Sequence, residues 1–231
     1  MYSLSTRVKA KYVFLAFVPY LIFYFLIQSA ITTNHYDLLT FLDAKIPFIP
    51  QFIWIYHTII PVTVITSFIL FQKRELFLSL TYANLLAGTI LCLFYILFPS
   101  FYPREGFVDT TTISGLFVEF TRAIDGAHNT FPSGHVTFSW LLTFFVGLSQ
   151  KGRQCSIFRV LYFCWAILIS ISTLTLKQHF LIDVVCGILL ARIIFLIFRN
   201  MFSANSQRNL ITIDADFIPP RTSTKEVPID C

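Results

Sequence analysis

Charge is what this chain most lacks. Only 13% of its 231 residues are Asp, Glu, Lys or Arg, against 56% apolar and 17% aromatic, and the mean hydropathy of +0.72 excludes an ordinary soluble globular domain. Cysteine is equally uninformative. The five cysteines show no CxxC or Cys/His ligand spacing, and Cys92, Cys164 and Cys186, inside apolar runs, are expected to be small buried residues. Cys155 is expected to be an ordinary surface thiol, and no prenylation box is expected at Cys231. There is no internal repeat. No ten-residue segments of alternating polarity are present, which excludes a membrane β-barrel. No basic stripe interleaved with aromatics is present either, so the net charge of +5 is not read as a nucleic-acid footprint.

What remains is long apolar runs. Six approach the roughly 20 residues needed to cross a hydrocarbon core of about 30 Å. They lie near residues 13–31, 52–71, 76–99, 132–149, 157–176 and 180–198. A segment in lipid must satisfy its own backbone hydrogen bonds, so the expected fold class is all-α, a polytopic bundle of six transmembrane helices. The first run is too long for the core of a secretion signal and Gln28-Ser29-Ala30 is a weak cleavage sequence, so an uncleaved helix is expected.

Basic residues fall in alternate connections. Arg7, Lys9 and Lys11 precede the first run, Lys73 and Arg74 follow the second, Lys151, Arg153 and Arg159 surround the fourth connection, and Arg199 and Arg208 follow the sixth. The positive-inside bias then places both termini in the cytoplasm. The polar connection 100–131, with Arg104, Glu105, Asp109, Glu119, Arg122, Asp125 and His128, faces outward with the segment that carries His179. Composition divides the chain into a membrane domain over 1–200 and a polar tail over 201–231, expected to be flexible and cytoplasmic.

Ionisable groups at membrane depth mark function by default. His179 and Asp183 are four residues apart, so on a helix they share a face. A carboxylate that accepts from one imidazole nitrogen leaves the lone pair of the other presented, which is the arrangement of an oriented nucleophile or base. A helix packing contact would use the same spacing. The second element is TFPSGH. Pro132 suits a first helical turn, and Ser133 and Gly134 leave amides uncrowded at a helix start, an anion site beside which His135 stands as a proton donor.

Together these residues resemble the type 2 phosphatidic acid phosphatase superfamily. PSGH at Pro132 to His135 is complete, and Ser172, His179 and Asp183 match that family's last signature, whose arginine position is Thr173 here with Lys177 as a cationic substitute. The first signature is degraded: in LFPSFYPREG, Arg104 follows a proline instead of preceding one and Leu97 stands at the lysine position. The divergence, with IPFIP at Ile46 to Pro50, looks like the branch that includes inositol phosphorylceramide synthases. The resemblance implies a lipid phosphate as substrate and partner. His179 would attack phosphorus, Asp183 would hold its imidazole, and His135 would protonate the leaving alkoxide. Arg104, Ser133, Gly134 and Lys177 would surround the phosphoryl oxygens. The implied scheme uses no metal and no cofactor.

Other ionisable groups are expected outside the chemistry: His57 as a hydrogen-bonded packing histidine, His35 and Asp37 as solvated loop residues, His128 as peripheral, and Arg192 as snorkelling or paired near the cytoplasmic end. Two further classes stay open. A lipid phosphotransferase would use the same apparatus, and a noncatalytic lipid-phosphate binder or transporter would use the cations alone, though a transporter would show broken polar helices at the midplane.

Overall fold

The computed structural model describes residues 4–31, 36–69, 71, 73–104, 108–149 and 154–216, with side chains omitted for 149, 154–156 and 200–216. His35, Glu105, Lys151, Arg153 and residues 217–231 lie outside the described residues, as do the side chains of Cys155 and Arg208. The described residues are helical with no strand: α1 (Thr6–Ala30), α2 (Phe41–Lys45), a 3-10 turn (Pro50–Phe52), α3 (Ile53–Tyr56), α4 (Ile59–Ile69), α5 (Arg74–Leu97), α6 (Ile113–Ile124), α7 (Gly134–Ser149), α8 (Gln154–Thr175) and α9 (Leu181–Asp216).

Five stretches are long and apolar enough to cross a bilayer, Thr6–Ala30, Pro50–Ile69, Arg74–Leu97, Ile157–Thr175 and Leu181–Arg199, and the chain is read as an integral membrane protein. The remaining expected span, 132–149, is α7. Its 16 residues extend only about 24 Å at 1.5 Å per residue. It is the most enclosed helix, packed on α5, α8 and α9, with Val136, Leu141, Leu142, Phe145 and Val146 at 0 or 1% exposure. A central helix of a bundle needs no lipid-facing stripe, which is why its apolar run is shorter than its neighbours'.

The second apolar run is not one rod. It breaks at His57–Thr58 between α3 and α4, and Pro61 explains the position. Proline has no N–H to offer the carbonyl four residues back, at His57, and its ring crowds that carbonyl. The freed segment is held from outside: Thr58 donates to the Ile55 carbonyl (2.6 Å) and accepts from Trp165 Nε1 (2.9 Å). The last helix continues as backbone to Asp216, past the boundary at 200 drawn from composition. Of the cysteines expected to be buried in the apolar runs, Cys164 is exposed and Cys92 and Cys186 are half-buried.

The polar connection after α5 contains α6, started by Thr112 accepting from the Gly115 amide. Ile113, Leu116, Phe117, Phe120 and Ile124 stay exposed on it. Their helical spacing makes one apolar stripe, as expected for a helix lying in the membrane interface. At the opposite end of the bundle, the buried Lys9 reaches the Phe68 carbonyl (3.1 Å) and ties α1 to the end of α4.

Candidate active site

The fold brings both histidines to one end of the bundle. His135 lies in the first turn of α7 and His179 in the turn from α8 to α9, their ring centroids 6.3 Å apart. The turn itself depends on Lys177, whose φ of 56° is a left-handed conformation that reverses the chain after α8.

His179 is oriented by two groups. Its Nδ1 lies 2.8 Å from the Thr130 carbonyl oxygen and 3.4 Å from Asp183 Oδ2. A carbonyl can only accept, so Nδ1 carries the hydrogen and the Nε2 lone pair is left for chemistry. Asp183, fully buried, also accepts the Phe180 amide at Oδ2 (2.8 Å), as an acidic residue in a first helical turn does. The i,i+4 pairing read from the spacing is therefore present, but the shorter contact is to a main-chain carbonyl that no side-chain pattern announces. Asp183 Oδ1 is buried without a hydrogen-bond partner among the described residues.

His135 has its own support. Its ring stacks on Tyr56 (centroids 4.1 Å, 25° between planes), and the Tyr56 hydroxyl lies 3.4 Å from Nδ1. That hydroxyl donates to Asp125 Oδ2 (3.0 Å), so its oxygen faces His135 as an acceptor. Tyr24 donates to the other carboxylate oxygen, Oδ1. Asp125 caps the end of α6, and in the chain Asp125, Tyr56, His135 the carboxylate holds the Tyr56 hydroxyl so that its oxygen is turned to accept from Nδ1–H. In the sequence Asp125 is one of several charges in a polar connection, and Tyr24 and Tyr56 carry no signal of a role. Two tyrosines in membrane runs are unremarkable until a carboxylate is seen between them.

PSGH forms the opening of α7 in a way that mixes packing with chemistry. Ser133 is fully buried; its hydroxyl accepts the Val136 amide (3.4 Å) and its own amide donates to the Asp183 carbonyl (3.1 Å). That bond joins the starts of α7 and α9 and fixes the two histidines relative to each other. The Gly134 and His135 amides follow, and in a first helical turn such groups have no carbonyl in the helix to bond. Gly134 also has a steric cause: a Cβ there would lie 2.7 Å from the Tyr20 hydroxyl and 3.2 Å from that of Tyr95.

The two expected cations are engaged elsewhere. Arg104 Nη1 donates to the Asp125 carbonyl, and Nη2 donates to the Gly126 carbonyl (2.6 Å) and to Gln178 Oε1 (2.5 Å). It clamps the end of α6 to the turn that carries His179. Lys177 Nζ donates to the Asp43 carbonyl (2.9 Å), and burial lowers its pKa below the ordinary value, opposed by the nearby Asp43 charge. Either cation would have to exchange carbonyl partners to meet a phosphate. Asp43 itself caps Leu181 (2.7 Å) and closes a capping box with Thr40.

His57 Nε2 lies 2.9 Å from Thr121 Oγ1, whose hydrogen already goes to the Phe117 carbonyl (2.7 Å), so the imidazole donates and joins the helix break to α6. His128 packs on Phe101. Among the described residues no three His, Cys, Asp or Glu side chains gather where they could hold a metal ion.

His135, His179 and Asp125 line the head of a cavity of about 580 Å³ that continues between α1 and α4 as far as Ala10 and Phe68. From Tyr24 to Ala10 it follows α1 for about 21 Å at the helical rise. Below the head its walls are Val13, Phe14, Phe17, Ile60, Val64 and similar side chains. A polar head over an apolar trough fits an amphiphile whose reacting group stays at the histidines.

The profile of the PAP2 superfamily matches residues 72–207, α5 through much of α9. The chain belongs to the PAP2 superfamily. Members of this superfamily are generally phosphatases, which places the chain among phosphoric ester hydrolases at a coarse level. The matched region holds both histidines, Asp125, Thr130 and Asp183, whereas Tyr24, Tyr56 and most of the apolar trough come from helices before it. No curated protein matches the chain.

Proposed function

We propose that this PAP2 superfamily protein hydrolyses a lipid phosphate through a phosphohistidine. The observation that carries this reading is the His179 ring, with Nδ1–H fixed on the Thr130 carbonyl, 6.3 Å from the His135 ring at the head of the apolar trough. The Nε2 lone pair of His179 attacks phosphorus, the bond to the leaving alkoxide breaks, and His135 gives that oxygen its proton. Water then attacks the phosphohistidine, yields its proton to His135, and releases phosphate with His179 restored. The Gly134 and His135 amides and the positive end of α7 stabilise the phosphoryl charge. Ser133, Arg104 and Lys177 hold the segments that surround it, with Arg104 and Lys177 meeting phosphate oxygens only if they exchange carbonyl partners. The bundle has six spans including α7, both termini are cytoplasmic, and the histidines face the periplasm or lumen.

A second reading, headgroup transfer, is favoured by Asp125. A carboxylate in the cavity wall repels a dianionic phosphomonoester more than a monoanionic phosphodiester, and an acceptor alcohol in place of water would complete the transfer. Both readings are tested by supplying lipid phosphomonoesters, diphosphates and phosphodiesters in detergent with chelator, and following phosphate and lipid products in wild type and His179→Ala. Histidine-dependent phosphate release supports hydrolysis. A new lipid that carries the phospho-headgroup, with no release of free phosphate, supports transfer, and identical profiles in the two proteins refute both.

A further inference from the structure

The end of the bundle away from the histidines carries a second cavity of about 340 Å³, between α7, α8 and α9. Its walls are aromatic, Phe144, Phe163 and Phe195, and its polar groups are Thr143, Arg159 and Arg192. Arg192 is the unusual residue. It lies within the span Leu181–Arg199, seven residues before the end, or about 10 Å along the helix. The ion pairs among the described residues, Arg122 with Glu119 and His179 with Asp183, do not include it. Its guanidinium instead sits over Phe144 and Phe195 (5.4 and 5.5 Å to the ring centroids). Aromatic faces anchor the cation but bring no compensating charge. A guanidinium at this depth calls for an anion, and one is most available where acidic headgroups meet the helix ends.

From this we infer that the cavity is a binding site for an anionic phospholipid of the leaflet opposite the histidines. The headgroup phosphate accepts from Arg192 and Arg159, and one chain lies against Phe144, Phe163 and Phe195. Charge complementarity selects the headgroup; the aromatic walls at membrane depth select a lipid over a soluble anion. The space beside Gly147 is open, since a Cβ at this position would touch nothing within 4 Å, so a larger side chain there can enter the cavity. The site is separate from the chemistry at the histidines and does not depend on it.

The test uses full-length protein carrying His179→Ala, so that turnover is removed from every sample, in phosphatidylcholine bilayers doped with phosphatidylglycerol. Phosphatidylglycerol that remains bound after extraction into neutral detergent is counted by native mass spectrometry. Arg192→Leu is expected to lower retention about fivefold, the equivalent of one cation beside an acidic headgroup, and Arg159→Leu to lower it similarly. Arg199→Leu, outside the cavity on the same helix, is expected to leave it unchanged. Gly147→Leu keeps every charge and fills the cavity, so it is expected to lower retention even if an arginine variant misfolds. Unchanged retention in both Arg192→Leu and Gly147→Leu overturns the inference, as does an equal loss in Arg199→Leu, which would reduce it to general surface attraction. Displacement of the lipid by inorganic phosphate at ordinary buffer strength would assign the site to a soluble anion and overturn it as well.

Discussion

Removing one oxygen from Tyr56 separates its two roles at His135. Tyr56→Phe keeps the ring that stacks on the imidazole at 4.1 Å and deletes the hydroxyl that stands between Asp125 Oδ2 and His135 Nδ1. Asp125 keeps Tyr24 on its other oxygen, so the carboxylate loses one of two side-chain donors. A hydrogen bond to a charged group contributes about 1.5–3 kcal/mol. The 3.4 Å contact to Nδ1 is at the long end of the range and contributes less in the resting protein. It strengthens if His135 becomes charged, because the hydroxyl oxygen then faces a cationic N–H. The expected result is a fall in kcat of roughly tenfold, smaller than the about 10²–10⁴ that a general acid supplies, with little change in KM. Tyr56→Ala, which also removes the stack, is expected to approach His135→Ala. The assay is product formation from the best substrate of the panel, with thermal unfolding measured in the same detergent. An unchanged kcat in a normally folded Tyr56→Phe protein would refute the relay. So would full activity in Asp125→Asn, since the relay ends on that carboxylate.

Four further outcomes are expected. Gly134→Ala should lower stability by about 1–3 kcal/mol, as overpacking does, and Tyr20→Phe, which removes the oxygen 2.7 Å from the new methyl, should restore much of it in a thermal-melt double-mutant cycle. Arg104→Gln should show itself first as a lowered melting temperature, because its terminal nitrogens bond carbonyls and Gln178; a rise in KM with an unchanged melting temperature would return Arg104 to the phosphate. His179→Ala should abolish acid-labile phosphate on the protein in a rapid-quench experiment with radiolabelled substrate, whereas His135→Ala should only slow its appearance. Asp183→Asn should cost less than His179→Ala, about ten- to a hundredfold in kcat, because the Thr130 carbonyl still holds Nδ1–H while the charge support of the carboxylate is gone; equal losses would mean that Asp183, not Thr130, sets the ring.

The apolar runs were legible from span length and the His179–Asp183 pair from its spacing of four, although His179 stands in the turn before α9 and not on the helix that carries Asp183. PSGH announced a helix start, but the helix begins at Gly134, so Pro132 stands before it and not in its first turn. The break at His57 was written in Pro61, but the run is apolar on both sides and length alone reads it as continuous. Thr130 was not legible, since its contribution is a carbonyl oxygen that every residue owns. Asp125 was visible only as one of several charges in a long connection, because its partners, Tyr24 and Tyr56, lie about 100 and 70 residues away in sequence. Arg104 and Lys177 were found as basic residues near the right places. What their charges meet is decided by which carbonyls the turns at 125–126 and 43 present, and that is a property of the packed loops.

The charges around the histidines bear on the proposed chemistry. Two carboxylates, Asp125 and Asp183, stand behind the two imidazoles, while Arg104 and Lys177 are turned toward main-chain oxygens. Such a site is poor at holding a dianion at rest. It improves along the proposed reaction: attack through Nε2 would make the His179 ring cationic, with the buried Asp183 carboxylate 3.4 Å from its Nδ1, and that interaction would be stronger in the transition state than before it. Binding energy realised only at that point accelerates the chemical step without tightening the substrate complex. The apolar trough then has to supply the affinity that the head withholds. Shortening the substrate's chain should therefore raise KM steeply while kcat at saturation changes little, and an enzyme that recognises its substrate chiefly by the phosphate would show the reverse.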